Sequence, residues 1–342
     1  MSLSRPARAL LALLLLLVLV WILAALSWPA ARRDKRKDAA STSAALANDV
    51  ADVTTPALHH LLPHLLQSPR PLRPVRHLGD GPSGDPARRG SMSTLSLAIG
   101  VVVAGRGSGG GERVVDVLED LFRRVKSSAR DQTLVVVLVW PDDYNCIEAV
   151  RDSFGDEAQA GLLEVISAPD AFYPSHVDGR GNESDARRVL DVSFLMMYCQ
   201  ERAEFYLQLS DAFSVDRVGF ATKMKGFAMD LEAKQNWIGI SFSNHRFYGN
   251  LFLCSELPRI VQFFLMFYND HNVGDLFENL VHAKACKPTM APDECASRMN
   301  TVWVRHRPPL VSAVVAARSS SDTDKNVVAV VAANGAADAV IR

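Results

Sequence analysis

A chain of 342 residues, 48% of them apolar, can bury a sizeable core as one large or two small folded units. Its 37 basic and 38 acidic side chains leave a formal charge of −1, so nothing in the balance asks for a nucleic-acid partner. Function stays open at this level.

The N-terminus is more informative. No charged residue lies between Arg8 and Arg32, and Ala9 to Trp28 is almost entirely Leu, Ala and Val, matching the roughly 20 residues that cross a bilayer. Residues 1–38 therefore read as a cytoplasmic tail and signal-anchor helix, with the membrane as a partner through that helix. A cleaved signal peptide ending near Ala25-Leu26-Ser27 is the competing reading. Both send the rest of the chain into the secretory pathway. The cluster Arg32, Arg33, Lys35, Arg36 and Lys37 would by charge alone hold the body in the cytosol, whereas Asn182-Glu-Ser184, a glycosylation sequon, is usable only in the lumen.

Residues 39–93 are rich in Pro, Ser, Arg and His without a sustained apolar period, which predicts an extended, disordered stem. A folded domain is expected from 94 to 310. It opens with the buried strand Leu95 to Val103, the glycine-rich stretch Gly105 to Gly111 and a helical run from Val114 to Val125. The glycine spacing is not that of a phosphate loop, so it reads as a surface turn. The run Thr133 to Trp140 is too continuously apolar for a strand covered on one face only, and Pro141-Asp142-Asp143 ends it as a turn and helix cap. Leu162 to Ile166 gives a third strand, Ser175 to Asp185 a polar loop, and Val189 to Glu201 a helix.

The centre of the chain is the strand Phe205-Tyr-Leu-Gln-Leu209, which runs into Ser210-Asp211-Ala212. A carboxylate at the carboxyl end of a buried strand stands where α/β proteins place ligands, so Asp211 is the candidate cofactor-binding and metal-binding residue. Further on, Gly219 to Leu231 and Leu257 to Tyr268 read as helices and Trp237 to Phe242 as a strand. Residues 311–342 read as a low-complexity tail. Of five cysteines, none forms a C-x-x-C pair, and in an oxidising lumen Cys286 and Cys295 are close enough to close one loop; two buried thiols are the alternative.

Gly161 to Pro174, Phe194-Leu-Met-Met-Tyr-Cys-Gln200, Tyr206-Leu-Gln-Leu209, Phe264-Leu-Met-Phe-Tyr268 and Arg305-His-Arg-Pro-Pro-Leu310 together resemble the α-1,3-mannosyl-glycoprotein 4-β-N-acetylglucosaminyltransferases, or N-acetylglucosaminyltransferase IV, in unbroken order. The resemblance implies a GT-A-like mixed α/β sheet flanked by helices, in a single-pass type II protein of the Golgi membrane with a lumenal catalytic domain. It further implies transfer of N-acetylglucosamine from its UDP donor, with a divalent cation (Mn or Mg), in β-1,4 linkage to the α-1,3 mannose arm of an N-glycan acceptor on glycoproteins.

Where the family reads Gln-Leu-Glu-Asp-Asp, this chain reads Gln208-Leu209-Ser210-Asp211-Ala212, and an acid of the family is replaced by Ser241. The basic cluster ahead of the Phe-Leu-Met-Met-Tyr helix is reduced to Arg187 and Arg188. Two readings follow: a transferase with an altered metal site and an unidentified base, or a catalytically silent relative that binds glycan or another Golgi transferase as a regulator.

Overall fold

The computed structural model describes residues 58–67, 72–79, 95–103, 110–125, 127–130, 132–175, 177 and 183–314. The apolar run Ala9 to Trp28, Asn182 and residues 315–342 lie outside them. Among the described residues no helix is long and apolar enough to cross a membrane.

Two short elements precede the main sheet: helix α1 (Leu58–Leu61), continued by a 3-10 turn over Pro63–Gln67, and strand β1 (Val75–Leu78). They correct the expectation of a disordered stem through residue 93. Leu58, Leu62, Leu65 and Leu72 are buried in the main core, and β1 pairs antiparallel with a strand of the main sheet. Composition averaged over residues 39–93 hid them, because three leucines at helical spacing cannot fold alone but can dock on a core that already exists.

Strand β2 (Leu95–Val102), helix α2 (Gly110–Arg124), a four-residue helix α3 (Ser127–Arg130), strand β3 (Thr133–Leu138), helix α4 (Tyr144–Gln159) and strand β4 (Leu163–Ser167) follow as alternating units. All three strands run parallel, β2 beside β3 and β3 beside β4. Helix α5 (Glu183–Cys199) then carries the chain to the other side of β2, where β5 (Ala203–Ser210) lies parallel to it. This helix starts six residues earlier than apolar periodicity predicts, since its first turns hold no apolar stripe for periodicity to register.

Strand β6 (Phe213–Val215), helix α6 (Phe220–Glu232), strands β7 (Gly239–Ser241) and β8 (Asn250–Leu253), helices α7 (Leu257–Met266), α8 (Val273–Ala285) and α9 (Pro292–Val302), and strands β9 (Trp303–Arg305) and β10 (Val311–Ala313) complete the chain. The main sheet has the order β1-β4-β3-β2-β5-β8-β7-β9, mixed because β8 runs antiparallel to both β5 and β7. A second ladder pairs β10 with β6, so the folded body extends past the expected boundary at 310. Val311 is buried and satisfies its pairing, which a composition argument over 311–342 could not show.

Helices cover both faces of the sheet, as continuously apolar strands require. Along β2, Ala98 and Val102 face the core that also holds residues of α5, α7 and α8, while Leu97, Ile99 and Val101 face the one shared with α2, α4 and α6. Gly100 interrupts the row for a steric reason: a Cβ there would overlap the Tyr206 hydroxyl, which donates to Gln208 Oε1 at 2.6 Å. Away from the sheet, Cys286 and Cys295 form a disulfide joining the end of α8 to α9, while Cys146, Cys199 and Cys254 are buried free thiols.

Candidate functional site

The strand order places the site. From β2 the chain moves outward through β3 to β4, then crosses back to lay β5 on the opposite flank of β2. The carboxyl ends of β2 and β5 thus lie side by side, and the helices that follow them, α2 and α6, pack on the same face; in open α/β sheets ligands bind beyond the carboxyl ends of the strands. Asp211 is the first residue beyond β5, and its backbone N–H donates to Val102 O at 3.2 Å, at the end of β2. Its side chain is 1% exposed, with Oδ2 3.3 Å from Nε of Arg113, a residue of the first turn of α2 whose own side chain is 52% exposed.

Neither neighbour of Asp211 offers a charge. Ser210 is buried with its Oγ accepting from the Ala212 N–H at 3.3 Å, and Ala212 has no side-chain oxygen. Ser241 is buried in β7, where its hydroxyl donates to Ser243 O at 3.0 Å. Asp216, close to Asp211 in sequence, is instead tied to the second ladder by the Ser312 hydroxyl.

A second group lies beyond β3 and β4. Asp143 caps α4 as expected, its Oδ1 accepting from the Cys146 N–H at 3.2 Å. Burial, with the Asp143 and Asp211 carboxylates adding to it, pushes the Cys146 thiol up to about 12, which keeps it neutral and unreactive. The Arg187 guanidinium sits 3.8 Å from the ring centroids of both Trp140 and Tyr173, a cation held between two aromatic faces. Tyr173 donates to Asp191 on the same helix as Arg187. Sequence reasoning singled out none of Trp140, Tyr173, Asp191 and Arg113, the expected helix beginning only at Val114. The available signal was that two aromatic residues each follow a buried strand, with a basic pair upstream of the next apolar helix.

Burial raises Asp191 from 3.8 to about 6, against the opposing influence of the Tyr173 hydroxyl and of Arg187 and Arg188. A carboxyl whose folded value is raised binds its proton more tightly when folded, so its contribution is fully present below pH 3.8 and is lost as pH rises through about 6. The loss amounts to about 3 kcal/mol at neutral pH, at about 1.4 kcal/mol per unit. Asp191→Asn, which retains an acceptor for Tyr173, is expected to gain stability relative to the parent between pH 4 and pH 7. Urea unfolding across that range measures the difference, and parallel pH profiles for the two proteins would contradict it.

The residues around Asp211 do not fit a divalent cation. Sites for Mn²⁺ or Mg²⁺ are built from carboxylate oxygens supplemented by substrate phosphates. Here the one acid of the trio is engaged by Arg113, and among the described residues Asp211 belongs to no group of three metal-ligating side chains close enough to share an ion. The one such group among the described residues, His282 with Cys286 and Cys295, has its two sulfurs in the disulfide.

The family profile described as the MGAT4 conserved region matches residues 54–329. Over 267 residues, 75% of this chain, the sequence is 31% identical to alpha-1,3-mannosyl-glycoprotein 4-beta-N-acetylglucosaminyltransferase B of Danio rerio, covering 46% of that protein. It is 30% identical over the same length to alpha-1,3-mannosyl-glycoprotein 4-beta-N-acetylglucosaminyltransferase A of Rattus norvegicus, covering 48% of it. The chain thus spans about half the length of the curated relatives it matches. Among solved structures, 4-diphosphocytidyl-2C-methyl-D-erythritol synthase from Anaerococcus prevotii aligns with 56% of this chain and 86% of its own at 10% identity and a TM-score of 0.35, too low to bear on fold or function.

Proposed function

Because the chain belongs to the family defined by the MGAT4 conserved region, we propose that it is a glycosyltransferase of N-glycan branching, transferring N-acetylglucosamine from its UDP donor in β-1,4 linkage to the α-1,3 mannose arm of a glycoprotein glycan. The observation that supports this reading is the position of Asp211 and Arg113 beside the carboxyl ends of the neighbouring parallel strands β2 and β5. Family topology would place the body in the Golgi lumen behind an N-terminal anchor, and Asn182 would then be a glycosylation site; the disulfide accords with an oxidising compartment.

In the transfer, the acceptor hydroxyl oxygen forms a bond to the anomeric carbon as the bond from that carbon to the diphosphate oxygen breaks. UDP leaves with the electron pair, and the hydroxyl proton passes to a carboxylate base. The chain's own residues supply a cation at the edge in Arg113, a second cation fixed between rings in Arg187, and the carboxylate of Asp211 that holds Arg113 in place. The residues at Asp211 do not match the ligand set of a divalent ion.

A second reading is favoured by one feature: Ser210, Ala212 and Ser241 are neutral, as in a relative that keeps the fold and regulates by binding glycan or another Golgi transferase. Incubating the full chain with UDP-N-acetylglucosamine and a biantennary N-glycan separates the two. Transfer of one residue in β-1,4 linkage, lost in Asp211→Ala, is the expected result. Retained glycan binding with no transfer by the parent would select the silent relative.

A further inference from the structure

We propose, resting on the reading of this chain as a nucleotide-sugar transferase, that Arg113 takes the place of a divalent cation against the donor's diphosphate, so that donor binding here is independent of metal. Three observations converge on it. The Asp211 carboxylate is 1% exposed and paired, whereas the Arg113 side chain bonded to it is 52% exposed, so the negative charge lies beneath and the positive charge is presented outward. A guanidinium carries five N–H donors, and among the described residues the partner of Arg113 is Asp211 through Nε alone, leaving the two terminal nitrogens for other acceptors.

The second observation is the charge count. A bare carboxylate facing a diphosphate repels it unless a cation stands between them. Ser210 and Ala212 bring no charge, so one arginine suffices to neutralise the acid of this trio and still offer a fork to a phosphate. The third is geometric. Arg113 lies in the first turn of α2, the helix after β2, and Asp211 follows β5, so the pair sits at the adjoining carboxyl ends of two parallel strands. Asp211 is on this view a positioning residue, which fixes the guanidinium by a charge-assisted hydrogen bond and does not itself touch the donor.

Isothermal titration of the full chain in detergent with UDP, once in EDTA and once in Mn²⁺, tests the inference on the unaltered protein. The dissociation constants are expected to agree within about twofold. Arg113→Ala should weaken UDP roughly tenfold or more in EDTA, the scale of a lost hydrogen bond to a charged group, and leave uridine binding unchanged because uridine has no phosphate. UDP binding that requires Mn²⁺ would overturn the inference and leave the transferase reading standing. Equal losses for UDP and uridine in Arg113→Ala would reduce the arginine to a structural role. Absence of UDP binding in both conditions would overturn the transferase reading itself, and the inference with it.

Discussion

Arg202→Ala is expected to destabilise the protein by about 3–5 kcal/mol, the cost of leaving a buried charge without its partner. Arg202 follows α5 and reaches Glu164 in β4 with Nη1 2.8 and 2.7 Å from the two carboxylate oxygens, while Nη2 donates to the Tyr198 hydroxyl at 2.8 Å. Tyr198 in turn donates to Glu164 Oε2 at 2.5 Å, and the guanidinium lies 4.0 Å from its ring centroid. Side-chain exposures of 13% for Arg202 and 6% for Glu164 mean that water does little to screen the pair. Removing the arginine strands the carboxylate in the core with one hydroxyl donor. The double change Glu164→Gln with Arg202→Met should recover part of the loss, since it removes both charges. Guanidinium unfolding measures both proteins, and a loss below about 1 kcal/mol for Arg202→Ala would place the pair with weak surface bridges.

Asn250→Ala should cost at least about 3 kcal/mol, as three partners lose their hydrogen bond at about 1–3 kcal/mol each. Asn250 is fully buried in β8; its Nδ2 donates to Arg246 O at 3.1 Å and Phe247 O at 2.7 Å, and its Oδ1 accepts from Trp303 Nε1 at 2.9 Å. One amide thus fixes the loop before β8 and the first residue of β9. Asn250→Asp keeps the acceptor for Trp303 but turns a carboxylate toward two carbonyls, and is expected to be no better than alanine. A thermal midpoint within a few degrees of the parent for Asn250→Ala would show that water replaces the amide.

The parallel half of the sheet was legible because its strands are buried on both faces. Leu95 to Val102 and Thr133 to Leu138 contain little but β-branched and aliphatic residues, and no other element fits them. The same rule placed Asp211 at a strand end. It could not find Arg113, because a polar residue in the first turn of an amphipathic helix looks solvated until the strand order is known, and that order rests on pairings about 100 residues apart. The short late strands escaped for a different reason. At three residues each, β6, β9 and β10 carry too few side chains for alternation to be recognised, and their places are set by partners such as Val215 for Val311. The leucines at 58, 62 and 65 stood in plain view but were averaged away by the prolines around them.

The pairing of β1 with β4 has a consequence for solubility. All five residues of β4 are buried, and apart from Glu164 they have the composition of a strand that would template pairing between molecules if its edge were open. Strand β1 closes that edge and presents a poor one in its place: four residues long, preceded by Pro74 and carrying Arg76, with His77 Nε2 2.9 Å from Ser167 Oγ holding it at the end of β4. A fragment cut at Leu95, the boundary that composition draws, would keep Arg113 and Asp211 and lose this cover together with Leu58, Leu62 and Leu65. It would expose an apolar seat and an unpaired sheet edge at once, and its failure would take the form of self-association. A fragment beginning ahead of Leu58 keeps the edge closed and should remain monodisperse in light scattering at the same concentration.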